Sequence, residues 1–328
     1  MNASSQPRGF PGVLPPPHGV TADVNFTQSR WNLITQICCI VGTTLFIFLR
    51  CYAKYIVSLE FYLDDWVSIG AWVFSVTYCA LSLACGPLGI GIHAWHITPD
   101  RFLRLFRIGY VIEVLYGPAA FVTKLAILLL FIRVFHIKKR FVVVVKIIMG
   151  ILTLYYIAIT AVKIFICNPV EKFWNHPIPG TCLNSNLIFI SDCIVALITD
   201  CVILVAPMPV IWTLQMNTKQ KLGSSFALAV GAIACVASIV RLKDSVETKD
   251  NLDKSYIFEP ILLYSSGEIA IGVICGCIPV IPSLYRYYHK KFTAVSVLDK
   301  SSQGQSSNSY NGMVPLQDYS SREYINVP

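Results

Sequence analysis

Long apolar segments alternate with short polar ones along most of the chain. Seven apolar segments follow one another, and each is long enough for a membrane-spanning helix, which needs roughly 20 apolar residues. Unpaired backbone groups are too costly in hydrocarbon, and the segments lack the alternation of barrel strands, so the pattern predicts helices. We place them at about 31–53, 66–85, 108–132, 141–166, 185–214, 224–242 and 258–285. The predicted fold class is all-α, a seven-transmembrane helix bundle.

The composition also indicates a protein embedded in lipid. Of the 328 residues, 55% are hydrophobic and 13% are charged, whereas soluble domains carry roughly 25% charged residues. The net charge is +8, but Lys and Arg are scattered through short loops and form no basic face, which argues against nucleic acid as a partner. The predicted partner is the lipid bilayer, and the predicted location is a multi-pass position in the plasma membrane or an endomembrane.

The two ends of the chain are polar. Residues 1–30 and 292–328 are predicted to be disordered tails, because they cannot bury enough apolar surface to fold, and they flank a membrane domain at 31–291. The first tail carries glycosylation sequons at Asn2 and Asn25, which are modified only on the outer or lumenal side. Basic residues are slightly more numerous in the loops on the opposite side. We therefore expect the N-terminus outside and the C-terminus in the cytosol.

Ionisable residues inside the segments are the main functional candidates, because charges in the bilayer are costly. We single out four acids and three bases among them, namely Glu113, Asp192, Asp200, Glu268, Lys124, Lys163 and Arg241. Helical rise places Glu113, Asp192, Arg241 and Glu268 in the outer half of the bundle, where we expect them to bind a ligand. Lys163 lies near the outer edge, from which its side chain is expected to extend to water. The alternative is that these charges only pair with one another and hold the helices in register.

Two charges of opposite sign are predicted to lie at equal depth in the inner half. With about 1.5 Å of rise per residue, Lys124 lies roughly 24 Å below the outer start of its helix and Asp200 lies about 22 Å below the start of its own. Neither charge is stable alone in hydrocarbon. The pattern predicts a structural ion pair between Lys124 and Asp200.

Three of the twelve cysteines fall near the outer loops, where a disulfide can form. These are Cys85, Cys167 and Cys182. Cys167 and Cys182 bracket a short loop that contains three prolines, so their pairing is the favoured prediction. Pairing of Cys85 with Cys182 is the alternative.

Several short motifs occur in order along the segments. They are Asp64-Asp65-Trp66, then Gly89, Gly91, His93 and Trp95, the stretch from Lys124 to Phe135, Cys167-Asn168-Pro169, Gly180-Thr181-Cys182, Asp200 with Pro207 and Pro209, Arg241, and Glu268 with Gly272 and Pro279. The set resembles the fungal rhodopsin-domain integral membrane proteins over about residues 31 to 291. That group includes receptor-like proteins of plant-pathogenic fungi and proteins encoded beside secondary-metabolite genes. The resemblance implies a seven-helix fold and residence in a membrane.

The expected function is that of a receptor-like membrane protein that binds a small or lipophilic ligand and contacts a cytosolic signalling partner. The alternative is a membrane-embedded enzyme or accessory protein of a fungal secondary-metabolite pathway, for which we assign no catalytic residue. Light sensing through retinal is disfavoured, because the seventh segment has no lysine for a Schiff base. Arg133, at the inner end of the third segment, lacks the preceding acid typical of G-protein-coupled receptors.

We predict no cofactor and no metal site. His93 and His96 flank Trp95 at a spacing that two metal ligands could share on a helix, but the sequence supplies no third ligand nearby. The favoured interpretation of this group is an aromatic anchor at the membrane interface.

Overall fold

A computed structural model describes residues 12–15, 30–57, 61–175, 177–213, 218–247, 253–280, 284 and 287–288, without the side chains of 57, 211–228 and 254. The predicted glycosylation sites Asn2 and Asn25 and most of both predicted tails lie outside the described residues. Arg286, Lys290 and Lys291, which are among the basic residues that support the predicted cytosolic side, lie outside them too.

The described part of the chain is almost entirely helical. The helices are α1 (Arg30–Val57), α2 (Leu63–Cys85), α3 (Pro99–Val134), α4 (Lys139–Ile164), α5 (Ser185–Val205), α6 (Met208–Thr213), α7 (Thr218–Glu247) and α8 (Lys254–Cys277). Two short strands, β1 (Cys167–Asn168) and β2 (Thr181–Cys182), pair antiparallel in the loop between α4 and α5.

Within the described residues, six helices are long and apolar enough to cross a membrane. They overlap six of the seven predicted segments, of which 141–166, 185–214 and 258–285 extend past the ends of the observed spans, and the remaining segment, 224–242, falls on α7. The predicted class, an all-α membrane bundle, is confirmed. The start of the third helix was misplaced, since α3 begins at Pro99 and not near 108. Proline is well tolerated in the first helical turn, where its missing N–H has no intrahelical partner.

The fifth predicted segment is divided in two. Helix α5 ends at Val205, a turn follows at 206–207, and the short α6 starts at Met208. Pro207 lacks the backbone N–H that a continuing helix needs, and its ring clashes with the preceding turn. Two prolines near the end of an apolar segment, here Pro207 and Pro209, predict such an interruption, and the structure has it.

Helices α3 and α8 form the centre of the bundle. Helix α8 packs against α1, α2, α3 and α7, while α3 also packs against α2 and α4, and α5 packs against α7. The buried core includes Tyr78, Ile112, Tyr116, Leu128 and Ile269. Because α3 and α8 have neighbours on most sides, the charged residues on their buried faces must find partners inside the protein.

The outer helices present apolar surface outward. On α4, Val143, Ile147, Ile151 and Leu154 are all exposed. Their spacing of three or four residues places them on one face of the helix. In a membrane protein such an apolar face meets lipid acyl chains.

Both the α4–α5 loop and the α2–α3 loop lie at one end of the bundle, which we name the disulfide end. In the α2–α3 loop, Gly91 has φ +77°, and a side chain at this position would collide with the Glu259 carboxylate. Its N–H donates to the Ser255 carbonyl at 3.1 Å, and the Ser255 hydroxyl donates to the Ile92 carbonyl at 2.9 Å. These bonds fix the start of α8 against the loop.

Candidate functional site

A cavity of about 520 Å³ opens at the disulfide end, which is within the usual size range of small-molecule pockets. It lies among α3, α4, α5, α7, α8 and the α4–α5 loop. Its wall is mostly apolar, with a few polar groups that include Glu113, Lys163, Lys172 and Ser245. Aromatic rings contribute much of the remaining surface, namely those of Phe106, Tyr110, Phe173, Phe189 and Phe258.

A disulfide closes the loop over this cavity. Cys167 and Cys182 are bonded at 2.03 Å, and their strands pair so that the two residues face each other across the ladder. Both cysteines line the cavity. Cys85, the alternative partner considered above, is a free, buried thiol in α2. The structure thus brings together the favoured pair.

The polar floor of the cavity is built around Lys163. Its ammonium lies 2.6 Å from Asp192 Oδ2 and 3.4 Å from Glu113 Oε2, and the Glu113 backbone carbonyl is also at 3.4 Å. The Lys163 side chain is only 4% exposed. The expectation that Lys163 extends to water was wrong, because two acids on α3 and α5 hold its ammonium inside the bundle.

Tyr116 connects this floor to a deeper set of charges. Its ring lies between the Lys163 ammonium at 5.3 Å and the Arg241 guanidinium at 4.7 Å from the ring centroid. Its hydroxyl is within 3.1 Å of both carboxylate oxygens of Glu268. Arg241 Nη1 in turn lies 3.2 Å from Glu268 Oε2 and donates to the Ser265 hydroxyl at 3.1 Å.

Lys124 occupies the deepest position of this set. Its ammonium lies 2.9 Å from Asp200 Oδ1 and 3.9 Å from Glu268 Oε1, and it donates to the Thr199 hydroxyl at 2.7 Å. The Ser238 hydroxyl donates to the other Asp200 oxygen at 2.8 Å. The structure places Lys124 and Asp200 in contact. We name the seven charged residues of these three paragraphs, Glu113, Lys124, Lys163, Asp192, Asp200, Arg241 and Glu268, the interior charge network.

The four predicted ligand-binding residues have different positions. Glu113 lines the cavity and its side chain is 23% exposed. Asp192, Arg241 and Glu268 are at most 5% exposed, are absent from the cavity wall, and pair with Lys163, with each other or with Lys124. Only Glu113 is therefore placed to touch a bound molecule directly, and the other three lie behind it.

A second charged group lies at the opposite end of the bundle and was missed as a unit. Asp64 and Asp65, at the start of α2, bind Arg50 at 2.7 and 2.9 Å, and Asp65 also binds Lys54 at 2.8 Å. Arg133 of α3 lies 3.2 Å from Asp64. We name these five residues the α2 cluster. The adjacent acids at a helix start, with Arg50 and Lys54 one turn apart, were the available clue.

The acid that the sequence lacks before Arg133 is supplied by another helix. Asp64 comes from α2, and Arg133 also packs over the Tyr62 ring at 4.1 Å. Arg50 ties the same group to α8 by donating to the Gly276 carbonyl at 2.5 Å. The α2 cluster thus holds the ends of α1, α2, α3 and α8 together.

His93 lies in a stack of aromatic rings at the disulfide end. Its ring lies between Trp95 and Tyr256, with centroids 4.3 and 4.4 Å away, and its Nδ1 is 2.5 Å from Asp253 Oδ2. The pairing joins the α2–α3 loop to the residue preceding α8. Among the described residues, no three ligand-type side chains are grouped for a metal ion.

Comparison with known proteins places this architecture in a family. The fungal rhodopsin domain matches residues 49–287. A SAT4 family membrane protein of Emericella nidulans is 31% identical over 71% of this chain, which spans 59% of that relative. The Fugralins biosynthesis cluster protein 2 of Gibberella zeae is 26% identical over 84% of this chain and 70% of its own length. The Receptor GIN3 of Arthrobotrys oligospora is 24% identical over 83% of this chain and 67% of its own length.

The family match covers most of the chain, including the cavity, the interior charge network and the α2 cluster. The helical bundle and its apolar outer surfaces agree with a multi-pass position in a membrane. The chain therefore belongs to the fungal rhodopsin-domain family of membrane proteins.

Proposed function

We propose that this protein is receptor-like and binds a small, amphipathic molecule in the cavity at the disulfide end. The observation that supports this most directly is the cavity itself, whose volume, aromatic wall and few polar groups are typical of ligand sites. Glu113 is the contacting residue, and Asp192, Arg241 and Glu268 hold the floor from behind. One relative is named a receptor.

We also propose that the disulfide end faces the outside or the lumen and that the C-terminus is cytosolic. Disulfides persist in oxidising compartments, and the sequons at Asn2 and Asn25 precede the helix that starts at this end. A glycosidase-sensitive mass shift should map to Asn2 or Asn25, and a tag after Pro328 should be protected from protease in intact cells. A protease-accessible tag would reverse the orientation.

A receptor must pass ligand occupancy to the opposite end of the bundle. Helices α3 and α8 both line the cavity, and both reach the α2 cluster, through Arg133 and the Gly276 carbonyl. A shift of either helix on ligand binding would change these contacts and the surface that a cytosolic partner meets. This connection supports the proposed signalling partner.

The second candidate function is an accessory or enzymatic role in a secondary-metabolite pathway. It is favoured by relatives named after biosynthetic clusters, such as the Fugralins biosynthesis cluster protein 2. The same cavity would then hold a pathway intermediate. The two functions differ in what the cell loses when the cavity is blocked.

The test is a deletion strain complemented with the wild type or with a blocked cavity. Ile188 of α5 lines the cavity, so the larger ring of Ile188→Trp should obstruct it. Ile194→Trp on the same helix is a matched control, because Ile194 is exposed and absent from the wall. If the protein is a receptor, Ile188→Trp should fail to restore the transcriptional response that the deletion abolishes. The secreted metabolites should then remain unchanged. Loss of a metabolite would favour the pathway role, and full complementation would contradict both.

A further inference from the structure

We infer that the ligand carries a positively charged amine next to an apolar body, and that Glu113 is the residue that selects it. This inference rests on the proposed function of the cavity, and it names the chemical class of the molecule that the cavity takes. It is based on the charge balance of the interior network, on the bonds of Lys163 and on the wall around Glu113.

The interior charge network has one more acid than base. Glu113, Asp192, Asp200 and Glu268 face Lys124, Lys163 and Arg241. Buried charges are stable only when they are paired. Four of the seven, Lys124, Asp200, Arg241 and Glu268, balance one another, so the excess negative charge belongs to the group formed by Glu113, Lys163 and Asp192.

The Lys163 ammonium lies closer to one of its two acidic partners than to the other. It lies 2.6 Å from Asp192 but 3.4 Å from Glu113, and its three ammonium hydrogens are directed to acceptors of these two residues. Within the described residues, no other hydrogen-bond donor contacts the Glu113 carboxylate. Lys163 therefore satisfies Asp192 and leaves Glu113 as an acceptor that faces the cavity.

The remaining wall suits the rest of such a molecule. Phe106 and Phe258 line the cavity together with Glu113, and an aromatic face attracts a cation as well as an apolar chain. Lys172 also lines the cavity, but it belongs to the α4–α5 loop and its ammonium donates to the Gly180 carbonyl of that loop. Lys172 is thus directed to its own loop, and an amine placed against Glu113 meets no unpaired cation on the floor.

The experiment uses three fluorescent probes that share one dansyl group and differ only in the end of a five-carbon chain. The ends are a primary amine, a methyl group and a carboxylate. The full-length protein is placed in nanodiscs of zwitterionic lipid, empty nanodiscs correct for partition into lipid, and Kd is measured from the dansyl emission. Ile188→Trp identifies the part of the signal that comes from the cavity.

The amine probe should bind about tenfold or more tightly than the methyl probe, as a charge-assisted hydrogen bond predicts, with the carboxylate probe weakest. Glu113→Gln, which is nearly isosteric, should bring the amine and methyl probes to within about twofold of each other. Glu247→Gln is the matched control, since Glu247 is 61% exposed at the end of α7, is absent from the cavity wall and pairs with Lys243. It should leave the preference intact.

Each other outcome has a distinct meaning. Equal binding of the amine and methyl probes, with both blocked by Ile188→Trp, would overturn the amine inference and leave the proposed cavity function standing. Tightest binding of the carboxylate probe would also overturn the amine inference. If Ile188→Trp changed the binding of no probe, the cavity function and the inference would both fall. The comparison of the three probes uses only the wild-type protein, so it does not depend on whether a variant folds.

Discussion

The interior charge network and the α2 cluster use the same kinds of residues but are assembled differently. The α2 cluster has three bases and two acids, and four of its members lie between residues 50 and 65. The interior network has four acids and three bases drawn from α3, α4, α5, α7 and α8. One group is nearly local in sequence, and the other exists only after the bundle has formed.

The two groups also differ in what surrounds them. Members of the α2 cluster line neither the 520 Å³ cavity nor a second cavity of about 80 Å³, whereas Glu113 lines the larger and Lys124, Asp200 and Glu268 line the smaller. The closest ion pairs within the α2 cluster, at 2.7 to 2.9 Å, are all between buried residues. This contrast indicates that the α2 cluster clamps one end of the bundle, whereas at the other end the charged residues form the floor of an open cavity.

The largest loss of stability should come from breaking the α2 cluster. Asp65→Ala removes a carboxylate that contacts Arg50, Lys54 and the Tyr62 N–H, which leaves three cations facing Asp64 alone. Loss of one partner of a buried pair costs about 3–5 kcal/mol. The melting temperature in detergent and the membrane yield should fall sharply. Asp100→Ala, in the exposed first turn of α3, is the control, and an equal loss there would contradict the clamp.

The next effect tests the deepest pair of the interior network. Lys124→Met should cost about 3–5 kcal/mol, because Asp200 loses its cation and Glu268 keeps only Arg241. Asp200→Asn should cost less, about 1–2 kcal/mol, since Lys124 keeps Glu268 and the Thr199 hydroxyl. Thermal unfolding of the purified variants measures both. The exchange of Lys124→Asp with Asp200→Lys should recover part of the loss relative to the single charge changes, and no recovery would mean that the two residues are not paired.

A somewhat smaller effect is expected at the cavity mouth. Cys167→Ser opens a loop of 15 residues, whose closure is worth about 3 kcal/mol. Mapping of non-reduced peptides should find Cys167 joined to Cys182 in the wild type, and the variant should melt at a lower temperature. Cys38→Ser, which changes an exposed free thiol, should leave the melting temperature unchanged. A peptide that joins Cys85 to Cys182 would contradict the pairing.

The smallest effect separates the two acids that share Lys163. Glu113→Gln should change stability by less than about 1 kcal/mol, because its contact with Lys163 is long and its side chain is partly exposed. Asp192→Asn should be clearly more destabilising, since its contact is 2.6 Å and buried. Unfolding midpoints of the two variants provide the test. Equal losses of stability in the two variants would show that Lys163 stabilises both acids to the same extent.

Much of the fold followed from the apolar pattern alone. The helical state of the long apolar segments and the interruption at Pro207 depend on hydrocarbon thickness, backbone hydrogen bonding and the missing proline N–H, which are local properties. The start of α3 at Pro99 was missed because residues 99–107 are polar enough to resemble a loop. Hydropathy does not detect the part of a helix that extends past its apolar segment, because that part is polar.

Of the site, the sequence identified the residues and the structure determined which of them meet. Depth along a helix follows from the rise per residue, and this was enough to place Lys124 and Asp200 at one level. Depth contains no information on rotation about the helix axis, so Lys163 was assigned to water although Asp192 and Glu113 hold it inside. Which acid remains open to the cavity depends on differences of less than 1 Å between contacts, and only the packing of five helices and the α4–α5 loop around the cavity sets these.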